Sequence, residues 1–176
     1  MSKILINKIR EVKTPDRGTS QAAGLDFYMP KIDDSFIKAF LAKNPTCSLD
    51  RNFNDEKTAL LIPPHTRVLI PSGIRTYMNR GTALIAENKS GLSTKKGLLV
   101  TATTVDSDYT GEIHLGLYNS DKFETAEFVE NNKVLQFIHH EVFLSEVTEV
   151  DNLDFDIAHW ETERGDKGFG STSKKN

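Results

Sequence analysis

The chain has 176 residues and a formal net charge of −3, long enough for one domain with a core of its own. A negative balance supplies no general field for gripping a nucleic acid polymer, so any anion must be held by a few local cations and backbone N–H groups, as suits a small phosphorylated ligand. A lone cysteine, Cys47, excludes an intrachain disulfide, and no stretch approaches the roughly 18 apolar residues of a membrane span, so a cytoplasmic protein (host cytoplasm if viral) without a membrane partner is expected.

Short period-two apolar runs begin at residues 3–6 and recur at 67–70, 82–86, 112–118 and 133–138, with Gly, Pro, Asn and Asp between them. Such spacing predicts strands in an all-β sandwich, barrel or jelly roll. One segment departs from it. Asp33-Asp34-Ser35 can cap a helix whose apolar face is Phe36, Ile37, Phe40 and Leu41, and Asn44-Pro45 stops it. With the polar stretch 48–57, residues 31–58 read as an insertion leaving the sheet, and strand signals resume at Leu60-Leu61-Ile62.

Three later segments carry chemistry. Lys89-Ser90-Gly91-Leu92-Ser93 follows a strand and offers a cation, a hydroxyl and an open backbone to a phosphate. Asp106-Ser107-Asp108-Tyr109 puts carboxylates and an aromatic ring at a tip between strands, where a carboxylate can take a proton from water and the ring can pack on a sugar. The ending 164–176 has three glycines and a single large apolar side chain, Phe169; it cannot build its own core and reads as a flexible arm. His139-His140 are no metal pair, because neighbours on a strand point to opposite faces, and Asp151, Asp154 and Asp156 lack the spacing of a calcium loop.

Together these segments resemble, in order, the five motifs of the trimeric dUTPase family. Ala22-Ala23-Gly24-Leu25-Asp26-Phe27 is similar to the first, Lys89-Ser90-Gly91-Leu92 to the second and Thr104-Val105-Asp106-Ser107-Asp108-Tyr109 to the third. Lys133-Val134-Leu135-Gln136-Phe137-Ile138 is similar to the fourth, and Arg164-Gly165 through Gly168-Phe169-Gly170-Ser171-Thr172 to the fifth.

The resemblance implies a jelly-roll-like β-barrel over residues 1–163, a helical insertion near 33–44, and an arm, 164–176, closing over the site. It implies Mg-assisted hydrolysis of dUTP to dUMP and pyrophosphate by a homotrimer with shared active sites, limiting uracil in DNA and supplying dUMP for thymidylate. Asp106 inherits the role of base. Asp26 and Gln136 reach Mg²⁺ through water, Gln136 also facing a phosphate, and Lys89, Ser90 and Gly91 grip phosphate. A hairpin including Val100, Thr103, Thr104 and Val105, with His114, reads uracil. Tyr109 packs on deoxyribose, and Arg164, Phe169, Gly170, Ser171 and Thr172 close over the nucleotide. Asn88-Lys89 stands where the family usually has Pro-Arg, and Asn131-Asn132-Lys133 where it has Gly-Asp-Arg, so point charges replace guanidinium forks. Two other readings stay open: an enzyme like dCTP deaminase, which shares the fold, and an interaction protein docking a partner on the 31–58 insertion.

Overall fold

The computed structural model describes residues 3–151. They fall in two compact units, and all helices and strands lie in the first, which ends at Phe143. In chain order the strands are β1 (Leu5–Lys8), β2 (Gly24–Tyr28), β3 (Ala59–Ile62), β4 (Arg67–Pro71), β5 (Ile74–Tyr77), β6 (Thr82–Glu87), β7 (Leu98–Val100), β8 (Thr104–Asp106), β9 (His114–Asn119), β10 (Ala126–Val129) and β11 (Lys133–Glu141). The helices are α1 (Asp34–Lys43), α2 (Leu49–Asn52) and α3 (Ser90–Lys96). No helix among them is long and apolar enough to cross a membrane. Of the second unit, residues 144–151 are described, and they form neither helix nor strand.

All strand pairs are antiparallel, in a four-stranded sheet β2-β11-β6-β8, a three-stranded sheet β4-β9-β7, and the pairs β1-β5 and β10-β3. The mostly β, jelly-roll-like expectation holds, though among the described residues the strands form four separate sheets and no closed barrel. Alternation decides which faces meet. On β4, Val68 and Ile70 are buried while Arg67 is exposed, and on β10, Ala126 and Phe128 point in while Glu127 and Val129 point out. These faces, with Leu84, Leu115 and Leu135, make one core, whose burial is the main favourable term in folding. Phe27 of β2 meets Phe137 of β11 edge to face at 4.8 Å between centroids.

The helix expected near 33–44 forms as read. Asp33 caps it, its Oδ1 accepting the Phe36 N–H at 2.8 Å, and Phe36, Ile37 and Phe40 are buried with Leu41 partly so.

The insertion, however, is no excursion from the sheet. Asn44 pairs with β4 as a strand would, its Oδ1 accepting from Leu69 N at 2.8 Å and its Nδ2 donating to Leu69 O at 2.9 Å. Asn52, fully buried at the end of α2, donates to Leu61 O at 3.1 Å. Phe40 meets Phe53 edge to face at 5.5 Å. Polar residues that read as solvent-facing are anchors, because a buried amide must find backbone partners. The helices α2 and α3 also lie where the periodicity showed none.

Candidate active site

Two clusters hold the expected chemistry. The first is built across three strands. Asp26 of β2 pairs with Gln136 of β11, which pairs in turn with Glu87 of β6, so the three stand in one row. Just beyond Glu87 the chain leaves β6, and there Asn88 O accepts from Gln136 Nε2 at 3.1 Å while Asn88 Oδ1 accepts from Val100 N at 2.8 Å. Lys89 turns back to bond Asp26 Oδ1, and Lys133 Nζ lies 2.6 Å from Asp26 Oδ2.

Asp26 is 4% exposed. Burial pushes its carboxyl up, but the bonds to Lys133 and Lys89 outweigh that and hold it below its ordinary range. The same contact raises Lys133. Gly24 packs closely beside it: a Cβ there would lie 2.9 Å from Gln136 Cδ and 3.1 Å from its Cβ, so the Gln136 side chain would have to shift. Ser90 and Gly91 open α3 and are both exposed, with free space where a Gly91 Cβ would be.

The second cluster lies at the end of β8. A cavity of about 330 Å³ is lined by Thr104, Val105, Asp106, Tyr109 and His114, with Lys43 from α1. Asp106 and Tyr109 are exposed, and the turn between them is closed by Tyr109 N donating to Asp106 O at 3.1 Å. The carbonyl of Glu112 organises the rings: it accepts the Tyr109 hydroxyl at 2.9 Å and sits 2.9 Å from His114 Nδ1. A carbonyl only accepts, so Nδ1 carries the proton and Nε2 the lone pair. Burial holds His114 below its ordinary value, against a weaker upward pull from Glu112. The Glu112 carboxylate accepts from Arg10 Nε at 3.0 Å and Gly73 N at 2.8 Å, tying this turn to the N-terminal segment. Gly111 leaves room for the Tyr109 ring, since a Cβ would lie 2.7 Å from Tyr109 Cζ.

One expectation is corrected. The segment read as a hairpin is not a ladder: β7 pairs with β9, β8 pairs with β6, and residues 101–103 cross between two sheets. Thr103 O accepts from Ala86 N at 2.6 Å on the way. The crossing keeps Val100 near Asn88 while Thr104 and Val105 turn to the second cavity.

The two clusters are not one. Asp106 pairs with Ala83, and Gln136 pairs with Glu87 of the same strand, a separation of four residues or about 13 Å along β6. Arg164, Phe169, Gly170, Ser171 and Thr172 lie outside the described residues. Lys133, Lys43, Asn88 and Glu112 were missed as site residues. The first two belonged to segments read for other reasons, and the last two act largely on backbone partners distant in sequence, which have no local signature.

Comparison with known proteins bears on the family. The dUTPase family model matches residues 56–173. A deoxyuridine 5'-triphosphate nucleotidohydrolase of Fusobacterium nucleatum is 30% identical over 99% of this chain and 100% of its own length. One of Corynebacterium efficiens is 35% identical over 66% of this chain, which spans 62% of that protein. The dUTPase of Staphylococcus bacteriophage 80alpha with dUPNHPP has a TM-score of 0.73 at 15% identity, covering 98% of this chain and 99% of that one. A mutant dUTPase of phage phi11 of S. aureus, which coordinates a structural Mg(II) ion, has a TM-score of 0.64 at 14% identity, covering 87% and 99%. A family model spanning two thirds of the sequence, and a relative matched from end to end, place the chain in the dUTPase family.

Proposed function

We propose that the chain hydrolyses dUTP to dUMP and pyrophosphate, acting in the cytoplasm, and that Asp106 is its general base. The observation that carries this reading is the cavity in which Asp106, Tyr109 and His114 converge. Asp106, exposed at its rim, takes a proton from water as the oxygen attacks the α-phosphorus. The bond from that phosphorus to the bridging oxygen breaks, and pyrophosphate leaves with the electron pair. Such a base contributes about 10²–10⁴-fold, the rest coming from positioning and neutralised charge. Tyr109, fixed by Glu112 O, packs on deoxyribose, and backbone groups of residues 100–105 read uracil.

Among the described residues no three His, Cys, Asp or Glu side chains gather to hold a metal, and each oxygen of Asp26 already meets an ammonium group. Asp26 and Gln136 would hold Mg²⁺ through its waters rather than directly, since Mg²⁺ gives up its waters reluctantly. When bound, the ion neutralises charge building on the leaving pyrophosphate. Lys89 and Ser90 hold the phosphates beside it.

The separation of the two clusters along β6 supports a homotrimer with shared sites, in which Asp106 and Tyr109 of one copy face Asp26, Ser90 and Gln136 of the next. The arm with Arg164 and Phe169 closes over the nucleotide. Mixing inactive Asp106→Asn with inactive Ser90→Ala chains, unfolded and refolded together, should restore part of the activity, since some mixed sites then carry both native halves. No recovery would count against sharing.

The function itself is tested by pyrophosphate release from dUTP, dTTP, dCTP and UTP with a coupled pyrophosphatase. Release from dUTP alone is expected. Ammonia from dCTP would replace this reading with a deaminase.

A further inference from the structure

Next to the Asp106 cavity is a larger one of about 660 Å³, formed where the end of α1 and α2 meet β4 and β9. Its charge has one sign. Lys43, Arg51 and Arg67 line it with His65, and no Asp or Glu does. Among the described residues none of the three cations lies within 4 Å of a carboxylate. Arg51 Nη2 donates to Thr66 Oγ1 at 3.2 Å, which orients the guanidinium and leaves its other donors for a ligand. His65 Nδ1 and the Tyr118 hydroxyl meet at 3.1 Å, setting two rings on the same wall.

In a chain whose net charge is −3, collecting like charges in one hollow costs repulsion that an anion would offset, and a concave wall focuses the field. Guanidinium forks match phosphate oxygens two at a time. The volume is that of a small-molecule site.

Neither Asp106, Tyr109 and His114 nor Asp26, Ser90 and Gln136 line this cavity, yet Lys43, Leu69 and Ala102 line both it and its neighbour. We propose that the basic cavity is a second anion site, separate from the catalytic one, which binds a small phosphate-bearing molecule up to the size of a nucleotide. Part of its wall, with Lys43 and Arg51, comes from the 31–58 insertion, which thereby acquires a function besides packing.

The test uses the assembled full-length protein and inorganic tripolyphosphate as probe, with calorimetry in EDTA. Wild type should bind. Arg51→Gln/Arg67→Gln should bind roughly tenfold more weakly or worse, with kcat and KM for dUTP within about twofold of wild type. Lys89→Gln should keep the binding that the double variant loses. Three results each overturn the proposal: no binding by wild type, equal binding by the double variant, or a rise in its KM for dUTP matching the loss of binding, which would make the cavity part of the substrate site. A melting curve confirms that the variant is folded. Should it not be, Arg67→Gln alone carries the same test, since Arg67 is exposed on β4. The binding measurement reads the cavity directly, whether or not dUTP is the substrate.

Discussion

The carboxylate of Asp26 is bonded to the ammonium of Lys89, joining two motifs 63 residues apart in the chain. Lys133 takes the other oxygen, so a nearly buried negative charge is fully paired. Removing one member of such a pair is expensive because the remaining charges lose their partner. Lys133 is 45% exposed and can turn to water, which softens the loss. Asp26→Asn should therefore cost about 2–3 kcal/mol, less than a fully enclosed pair, as read by urea denaturation. An unchanged midpoint would mean that the contact is not formed in solution.

The same carboxylate gives acid sensitivity a direction. Its folded value lies below the ordinary 3.8, so the stability it contributes is complete above that value and is lost as pH falls through the folded one. Between pH 5 and pH 2, melting temperature should fall less steeply in Asp26→Asn than in wild type. Parallel curves would assign the acid response elsewhere.

His114 should titrate below its ordinary 6.5, since burial disfavours the charged ring. With the folded value depressed, the stability owed to the neutral ring is complete above 6.5 and is lost as pH falls through the lowered value. An NMR titration of the imidazole resonances reads the midpoint directly. A midpoint above 6.5 would show that the ring is more open than its contact with Glu112 O implies.

Asp106→Asn should lower kcat by about 10²–10⁴-fold while leaving KM and melting temperature close to wild type, because the side chain is exposed and holds nothing together. Equal losses in kcat and stability would point to a structural role instead.

Gly24→Ala tests close approach. The added methyl would push the Gln136 side chain aside, and because that side chain is half-buried and can swing, the cost is at the low end of overpacking, about 1 kcal/mol. Turnover should fall with stability, since Gln136 must shift away from Asn88 and the phosphates. A fully active, stable variant would remove Gln136 from the site.

Phe40→Ala tests whether the insertion belongs to the core. The ring is fully buried against Phe36 and Phe53, and its loss should cost about 3–5 kcal/mol. Lys38→Ala, on the exposed side of α1, should cost little. By the same reasoning, deleting residues 34–56 should abolish folding, so deletion cannot isolate a partner-binding role for this segment.

The local order of the chain was decided by its residues alone. Period-two runs marked β4, β6, β9 and β11, because a half-buried strand must alternate. Asp33 and Asn44 marked both ends of α1, because capping demands particular side chains at particular places. The resemblance of five short motifs named the family. Everything that depends on distant partners was settled only in three dimensions. The insertion's asparagines look solvated until Leu69 and Leu61 supply the backbone groups they bond. Residues 100–105 look like a hairpin until β7 and β8 are seen in different sheets. That Lys89 also reaches Asp26 is visible only in the folded chain. The division of the motifs into two clusters about 13 Å apart follows from strand register, which no single segment carries. Local preference is written residue by residue, whereas pairing is a property of what each strand lies against.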